Sequence, residues 1–232
     1  MKTTHSSLSG TSTARPTRSG TPHEQLVARA KVITARELLR YGDRTAGSQL
    51  ASQRARRVMP MGVASSFQNY DPHPIVVRNA RGAYMEDVDG HRYIDFSMGF
   101  GALFAGHANP IVRSAVEAQL GDGTLFVTPS EINAEVAELL VARFGLPMWR
   151  FTNSGTEATM DAIRVARGVT GRDKIVKVEG GYHGHHDEVM VSMKPPLHLA
   201  GPADAPNTVP ATAGITAAVL GDTIVVPYND AE

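Results

Sequence analysis

The segment from residue 149 to residue 179, WRFTNSGTEATMDAIRVARGVTGRDKIVKVE, carries the clearest structural signal in this sequence. Its apolar and β-branched residues predict one strand over 149–152 and another over 174–179. Between them, the spacing of apolar residues predicts a helix from about 155 to 167. Strand, helix and strand in alternation are typical of a parallel, doubly wound sheet, so the sequence predicts an α/β core.

The turn that joins the first of these strands to the helix, Ser154-Gly155-Thr156, is a candidate phosphate site. Backbone N–H groups at the start of a helix have no partner within it and lie at the positive end of the helix dipole. Together with the Ser154 and Thr156 hydroxyls they would form a cup for a phosphate group, and Gly155 permits close approach. Ser and Thr at this position also serve as ordinary helix caps, so both interpretations stay open.

A second polar loop, EGGYHGHH over 179–186, follows the next predicted strand. In a parallel sheet this loop emerges at the same edge as the 154–156 turn, so the two turns should face one ligand. Tyr182 offers a flat ring that could stack on a heteroaromatic cofactor, or it could be an exposed tyrosine in a turn. His183 beside it is a further candidate cofactor-binding residue.

The histidines of this loop, His183, His185 and His186, invite a metal-site interpretation because imidazole is a common ligand. Only Asp187 and Glu188 lie near enough in sequence to complete a ligand shell, and no second histidine pair occurs elsewhere. We therefore expect no metal site. The P-loop pattern GxxxxGK and the nucleophile elbow GxSxG are also absent from the sequence.

Two capped helices are predicted just before residue 149. Asn109 and Pro110 open the first, which Gly121 should close. The run Thr128-Pro129-Ser130-Glu131 opens the second, which should end at Gly145. Both fit the α/β pattern that continues after them.

The N-terminal part predicts a different organisation. Thr21, Pro22 and Glu24 have the pattern of a capping box, which predicts a helix to about residue 41. Residues 74–96 predict an antiparallel meander in which Asp89-Gly90 forms a two-residue type I′ turn. Residues 1–20 are mostly Ser, Thr, Gly, Pro and Arg, with no acidic residue and no amphipathic periodicity, which favours a disordered tail over an organelle-targeting peptide.

The C-terminal part combines a long irregular stretch with one more strand. Residues 195–214 are rich in Pro, Ala and Gly and predict a surface loop. Residues 223–226 predict a strand, and residues 229–232 have the composition of a helix cap. Because a cap without its helix is unusual, we expect the chain to be a truncated part of a longer domain.

Composition excludes several classes of function. The 232-residue chain has 23 basic and 23 acidic residues, so no overall charge draws it to nucleic acid or an anionic membrane. It has no cysteine, which excludes disulfides and thiolate chemistry. No stretch is apolar enough for a membrane span and no secretory signal is visible, so we expect a cytoplasmic protein without nucleic-acid or membrane partners.

Several blocks of the sequence together resemble one known family. The run from Phe151 through SGTEA at 154–158, TGRDKI at 170–175 and GYHG at 181–184 closely resembles class III aminotransferases, notably of the glutamate-1-semialdehyde aminomutase type. Upstream blocks at 61–63, 87–90, 93–95 and 106–107, and VPYND at 226–230, are similar too. The resemblance covers roughly residues 55–232.

This resemblance implies a cofactor, pyridoxal 5′-phosphate (PLP), and the incomplete large-domain sheet of a fold-type I aminotransferase. It implies that Ser154, Gly155 and Thr156 hold the PLP phosphate and that Tyr182 stacks on the pyridine ring. The Schiff-base lysine and the aspartate that pairs with the pyridine nitrogen are expected beyond Glu232, so this chain has no catalytic residue of its own. A homodimer is implied for the complete enzyme.

The resemblance also bears on the substrate, a small amino acid or amine. Ser65 is retained, Gln68 stands where aminomutases carry an arginine suited to a carboxylate, and Phe100 stands where they carry tryptophan. These differences favour an aminotransferase acting on another amino acid, with β-amino acids among the candidates.

The sequence thus predicts a disordered tail at 1–20, an N-terminal helical and β segment at 21–105, and the first part of a PLP-binding domain at 106–232. The predicted function is PLP-dependent transamination by the complete protein, this chain alone being inactive. The alternative is a non-catalytic fragment that binds PLP or another phosphate ligand.

Overall fold

The computed structural model describes residues 21–230, which form two compact units divided between Leu125 and Phe126. The predicted tail at 1–20 and the last two residues of the predicted cap at 229–232 lie outside the described residues. The helices are α1 (Pro22–Arg44), α2 (Ala46–Ala55), α3 (Pro110–Asp122), α4 (Glu131–Phe144), α5 (Gly155–Thr170), α6 (Leu197–Ala200) and α7 (Ala217–Asp222). The strands are β1 (Val77–Arg81), β2 (Tyr84–Asp87), β3 (Arg92–Ile94), β4 (Ile175–Val178) and β5 (Thr223–Val226).

Helix α1 begins at the predicted capping box. The Thr21 hydroxyl accepts from the Glu24 backbone N–H at 3.3 Å, and the Glu24 carboxylate accepts from the Thr21 N–H at 2.6 Å. Two N–H groups that the helix cannot satisfy internally are thereby paired. The prediction is confirmed, and the helix runs three residues beyond Tyr41, to Arg44.

The predicted meander is confirmed, since β1, β2 and β3 pair antiparallel in that order. Its second turn differs from the prediction. Gly90 has φ +86°, but Asp89 is not in the left-handed region that a type I′ turn requires at both positions. The Asp87 N–H instead binds the His91 carbonyl at 3.0 Å, closing a three-residue loop over 88–90.

The reason for this loop is visible in the Asp89 side chain. Its carboxylate accepts from the backbone N–H of Gly47 at 2.6 Å and of Ser48 at 2.9 Å, in the first turn of α2. Thr45, which precedes α2, makes no side-chain cap of its own. Asp89 therefore caps a helix 41 residues earlier in the chain, a role that the local sequence does not show.

Within the meander, Asp87 is fully buried and is held by its neighbours. Its carboxylate accepts from the Tyr93 hydroxyl at 2.7 Å and from the His91 N–H at 2.8 Å. Burial raises the pKa of Asp87, but these hydrogen bonds outweigh it and leave that pKa below its ordinary value. Burial and the bond to Asp87 raise the pKa of Tyr93 to about 12.

In the second unit, β4 and β5 pair in parallel, with Ile175 opposite Thr223 and Val178 opposite Val226. Both strands lie where the sequence predicted them. The predicted strand over 149–152 is wrong: these residues have no regular secondary structure. A strand needs a neighbour to complete its hydrogen-bond ladder, and these residues have no such neighbour among the described residues.

Most helix ends agree with the glycine signals. Helix α4 ends at Gly145 with φ +71°, as predicted, and α5 continues beyond residue 167 to Gly171, which has φ +64°. Helix α3 does not close at Gly121. It continues to Asp122 and ends at Gly123, whose φ of +96° supplies the positive value that a helix end favours.

The core of the second unit forms around the segment after β4. Its buried apolar side chains are Val189, Met190, Val191, Val209, Ile215 and Val225. The stretch 195–214 is therefore only partly a surface loop, because it contains α6 and buries Val209, whose carbonyl binds the Ser192 N–H at 2.7 Å. None of the described helices has the length and apolar character needed to cross a bilayer.

Candidate functional site

The Ser154-Gly155-Thr156 turn, called the cup below, lies at the start of α5. Ser154 is the N-cap, and its hydroxyl oxygen accepts from the Glu157 N–H at 3.2 Å. The backbone N–H groups of Gly155 and Thr156 have no acceptor among the described residues. Two amide donors and the Ser154 hydroxyl proton are thus available at the positive end of a 16-residue helix.

A second hydrogen bond holds the chain that enters the cup. The Glu157 carboxylate accepts from the Asn153 N–H at 2.6 Å, one residue before the N-cap. This places a carboxylate in the first turn of α5, where the helix dipole stabilises it. The carboxylate thereby holds the segment before the N-cap without occupying the Gly155 or Thr156 amides.

The loop after β4 contacts the cup, which confirms the prediction that the two turns meet. The His185 backbone N–H donates to the Thr156 hydroxyl oxygen at 3.0 Å. Gly184, the residue before His185, is buried and has φ +120°. A Cβ on Gly184 would lie 2.8 Å from the Thr156 Cα, so only glycine allows this approach.

This contact determines what the Thr156 hydroxyl can still do. A threonine hydroxyl has one proton to donate and lone pairs to accept. Because His185 already donates to the oxygen, the Thr156 proton remains for an acceptor in the cup. On the Gly155 side the space is open, since nothing lies within 4 Å of the position a Cβ would take.

Thr159 lies behind the cup and was not singled out from the sequence. Its hydroxyl is 2.6 Å from the His183 carbonyl oxygen and 3.2 Å from the His186 Nε2. The signal that could have found it is helical spacing, because Thr156 and Thr159 are three residues apart and share a helix face. Two hydroxyls on one helix face need polar groups to hydrogen-bond with, and the loop over 183–188 supplies them.

His186 also interacts with Glu188, which in turn interacts with Arg167. His186 Nδ1 is 2.9 Å from one Glu188 carboxylate oxygen, and an Arg167 guanidinium nitrogen is 3.3 Å from the other. The hydrogen bond from His186 is the main cause that lowers the pKa of Glu188 below its ordinary value. We call Thr156, Thr159 and Arg167, with the loop that they bind, the α5 seam.

Tyr182 and His183 differ in the exposure and direction of their side chains. Tyr182 is 64% exposed, so its ring is accessible from solvent. The His183 ring folds back over Gly181, where a Cβ would lie 2.8 Å from its Nε2. The contact His183 makes with α5 comes from its backbone carbonyl, which accepts from Thr159.

The candidate substrate residues Ser65, Gln68 and Phe100 lie in the first unit, whereas the cup lies in the second. The structure brings Ser65 and Gln68 together, since the Ser65 N–H donates to the Gln68 side-chain oxygen at 3.2 Å. Phe100 packs edge-on against Phe67, with ring centroids 5.3 Å apart. Phe67 lies between Ser65 and Gln68 in the sequence, so the three candidate residues belong to one neighbourhood.

Asp95 organises the glycine-rich segment that carries Phe100. Its carboxylate accepts from the N–H groups of Ser97 and Met98 at 2.9 Å each and pairs with His107 Nε2 at 2.7 Å. The hydrogen bond from His107 is the main cause that lowers the pKa of Asp95. This bracing holds Phe100 at φ +57°, which is uncommon for a side-chain-bearing residue.

The histidine-rich loop does not assemble a metal site in the described part of the chain. No group of three or more potential ligands converges there. His186 faces Thr159 and Glu188 instead.

The parallel pairing of β4 and β5, together with helix α5, defines an α/β protein. The unpaired amides in the first turn of α5 are groups of the kind that bind phosphate. The comparison with known families is more specific. Residues 65–232 match the class-III aminotransferase family, and the chain belongs to it. The predicted resemblance is confirmed.

Among curated relatives, the glutamate-1-semialdehyde 2,1-aminomutase of Archaeoglobus fulgidus is 45% identical over 179 residues. The match covers 77% of this chain but 41% of that protein, so the chain spans about two fifths of the length of the curated relatives it matches.

Solved structures confirm the fold-type I aminotransferase architecture. An ω-transaminase from Sphaerobacter thermophilus superposes with a TM-score of 0.74 at 41% identity, over 79% of this chain and 42% of that one. A transaminase with PLP bound superposes with a TM-score of 0.71 at 38% identity, over 80% and 42%. Both matches again involve about two fifths of the known chain.

Proposed function

We propose that this chain provides the phosphate-binding part of a PLP-dependent aminotransferase or aminomutase. The observation that carries the proposal is the geometry of Thr156. Its hydroxyl oxygen accepts from His185, which leaves its proton, beside the free Gly155 and Thr156 amides, for a phosphate oxygen. Family membership supports PLP as the phosphorylated ligand.

The residues present fit a PLP phosphate. The cup offers two amides and two hydroxyls, which are donors that a phosphate dianion requires, and no carboxylate replaces them. The open space beside Gly155 admits the phosphate, while the Gly184 contact closes the opposite wall. PLP, when bound, supplies the electron sink for chemistry at the carbon that bears the amino group.

In this proposal the chain's own residues bind and orient. The cup anchors the phosphate, and the exposed Tyr182 ring covers one face of the pyridine, which limits its rotation about the phosphate arm. Stacking also excludes water from that face. Neither residue moves a proton.

The amine that would hold the cofactor covalently is proposed to lie in sequence beyond Glu232. Lys177, in β4, cannot serve, because its Nζ is buried and donates to the carbonyls of Val191 at 2.6 Å and Val178 at 3.0 Å. Burial lowers the pKa of Lys177. These contacts favour the second candidate function for the chain by itself, namely non-catalytic binding of PLP or another phosphate ligand.

The proposed substrate is a small amino acid or amine. Gln68 is neutral and its side-chain oxygen is taken by the Ser65 N–H, so it cannot act as the cationic partner of a second substrate carboxylate. This supports an aminotransferase of another amino acid over a strict aminomutase. A homodimeric, cytoplasmic complete enzyme is proposed with it, and the zero net charge gives no support for nucleic-acid partners.

Titration of the chain with PLP and with inorganic phosphate tests the cup, and borohydride reduction in the presence of PLP tests for a reactive lysine. We expect saturable binding of both ligands and no lysine adduct after mass spectrometry. An adduct at one site would show that the chain carries its own catalytic amine. Absence of binding to both ligands by the folded chain would refute the phosphate cup.

A further inference from the structure

We infer that Thr159 and His186 are positioning residues that set the affinity of the cup for phosphate, an inference that rests on the proposed function. Neither residue lies in the cup. Both act through the α5 seam, where they determine how closely the loop over 183–185 approaches Thr156.

The contacts run in one order along the helix and the loop. Thr156 binds the His185 N–H at 3.0 Å, Thr159 binds the His183 carbonyl at 2.6 Å, and Arg167 reaches Glu188 at 3.3 Å. Residues 156, 159 and 167 share one helix face. The loop is therefore attached to α5 at three successive points rather than at the cup alone.

The shortest contact of the Thr159 hydroxyl is the one that holds the loop. The Thr159 hydroxyl has a single proton, and its distance to the His183 carbonyl oxygen is 2.6 Å, against 3.0 Å to the Gly155 carbonyl and 3.1 Å to the Thr156 carbonyl within α5. The shortest of these contacts directs the proton mainly to His183. His186 Nε2 lies 3.2 Å from the same hydroxyl oxygen. His186 thus packs against the hydroxyl that holds the loop.

The consequence reaches the cup through Gly184. Fixing the His183 carbonyl fixes the following peptide, so that the His185 N–H points at the Thr156 oxygen across the close Gly184 contact. With its lone pair engaged, the Thr156 hydroxyl is left with rotamers whose proton faces the cup. Without Thr159, that proton must be oriented when the ligand binds, which weakens binding.

Glu188 and Arg167 hold His186, at the end of the α5 seam that is farther from the cup. Glu188 accepts from His186 at 2.9 Å, and its own backbone carbonyl accepts from the Thr223 hydroxyl at 3.1 Å, at the start of β5. The position of His186 is therefore tied to the parallel strand pair. This gives the loop a rigid support rather than a contact between two surface groups.

Four variants test the inference in the whole chain: Thr159→Val, Thr159→Ser, His186→Phe and the control Thr170→Val. Thr170 is on the same helix, and its hydroxyl donates to the Ala166 carbonyl at 2.8 Å, far from the cup in sequence. Each variant is titrated with inorganic phosphate and with PLP, and amide exchange of His185 is measured without ligand. Thermal unfolding, followed by Trp149 fluorescence, separates lost binding from lost folding.

We expect Thr159→Val and His186→Phe to weaken both ligands by roughly three- to tenfold and to speed exchange of the His185 amide, as for loss of one hydrogen bond. Thr159→Ser, which keeps the hydroxyl, should stay within about twofold of the parent, as should Thr170→Val. Unchanged phosphate affinity in folded Thr159→Val, or failure of Thr159→Ser to restore it, would overturn the inference alone. A parent chain that binds neither ligand would overturn the proposed function as well.

Discussion

The backbone N–H of His185 lies 3.0 Å from the hydroxyl oxygen of Thr156, 29 residues earlier in the chain. This hydrogen bond joins the turn before α5 to the loop after β4. It also assigns the Thr156 oxygen as an acceptor within the protein and leaves its proton for a ligand. The hydrogen bond thereby brings the two turns together at the candidate site.

The two glycines of this site should respond oppositely to alanine. A Cβ on Gly155 meets nothing within 4 Å, so Gly155→Ala should fold normally but occupy the space intended for phosphate. Gly184 has φ +120°, and its Cβ would lie 2.8 Å from the Thr156 Cα, so Gly184→Ala should separate the loop from the cup. We expect the thermal midpoint to be unchanged in the first variant and to fall by several degrees in the second.

Phosphate titration completes this comparison. Both variants should lose affinity, Gly155→Ala without loss of stability. If folded Gly155→Ala binds phosphate as the parent does, the open space beside residue 155 is not the phosphate position.

Thr156→Val should weaken PLP and inorganic phosphate by roughly ten- to a hundredfold, because it removes a charge-assisted hydrogen bond of about 1.5 to 3 kcal/mol. The change keeps the side-chain shape but also removes the acceptor for the His185 N–H. Isothermal titration with each ligand measures the effect. Equal affinities for the folded variant and the parent would make the cup only a helix cap.

Tyr182→Ala should discriminate between phosphate and PLP. Loss of stacking costs about 0.5 to 1.5 kcal/mol for a ring ligand and nothing for inorganic phosphate. We therefore expect weaker PLP binding, a shifted PLP absorbance spectrum and unchanged phosphate affinity. A parallel loss for both ligands would show that Tyr182 supports the loop rather than the pyridine.

Acid should remove the stabilisation that Glu188 provides. Hydrogen bonding from His186 holds the folded-state pKa of Glu188 below the ordinary value of 4.5, so its contribution is fully present above that value and is lost as pH falls through the lowered pKa. The difference in thermal midpoint between the parent and Glu188→Gln should therefore be large at neutral pH and shrink below about pH 4.5.

Trp149 is the single tryptophan and lies in the second unit, so its fluorescence reports this transition. The exposed Glu135 in α4 supplies the control substitution Glu135→Gln, for which we expect no such pH dependence. A constant difference between the parent and Glu188→Gln from neutral pH to pH 3 would contradict the assignment.

Asp89→Ala should destabilise α2 although residue 89 lies in a β-turn. The substitution removes the acceptor for the Gly47 and Ser48 N–H groups, so we expect faster amide exchange in the first turn of α2 and a thermal midpoint lower by several degrees. Asp43→Ala, at an exposed position of α1, is the matched control. Unchanged exchange at Gly47 and Ser48 would show that Asp89 acts only within its turn.

Local signals in the sequence predicted much of the fold because the forces behind them are local. The Thr21 and Glu24 capping box, the Asn109 cap and the Gly145 helix end all depend on residues within a few positions of each other. The expectation that the cup and the loop over 179–186 meet also followed from strand order.

The predictions that were wrong concern segments whose structure depends on residues distant in the sequence. Residues 149–152 have the composition of a strand, but a strand requires a neighbouring chain segment to complete its hydrogen bonds. Asp89-Gly90 has the composition of a type I′ turn, yet the Asp89 carboxylate is bound to α2, and a three-residue loop results.

The sequence by itself determined the family, the α/β class and the two turns that meet at the candidate site, because those depend on motifs and on the order of strands and helices. Only the tertiary structure decided which atoms remain free there. His185 donates to Thr156, Thr159 holds His183, and Gly184 permits the approach. Each of these contacts joins α5 to a loop more than twenty residues away, and a hydrogen bond of fixed length and direction exists only once the fold brings its two groups together.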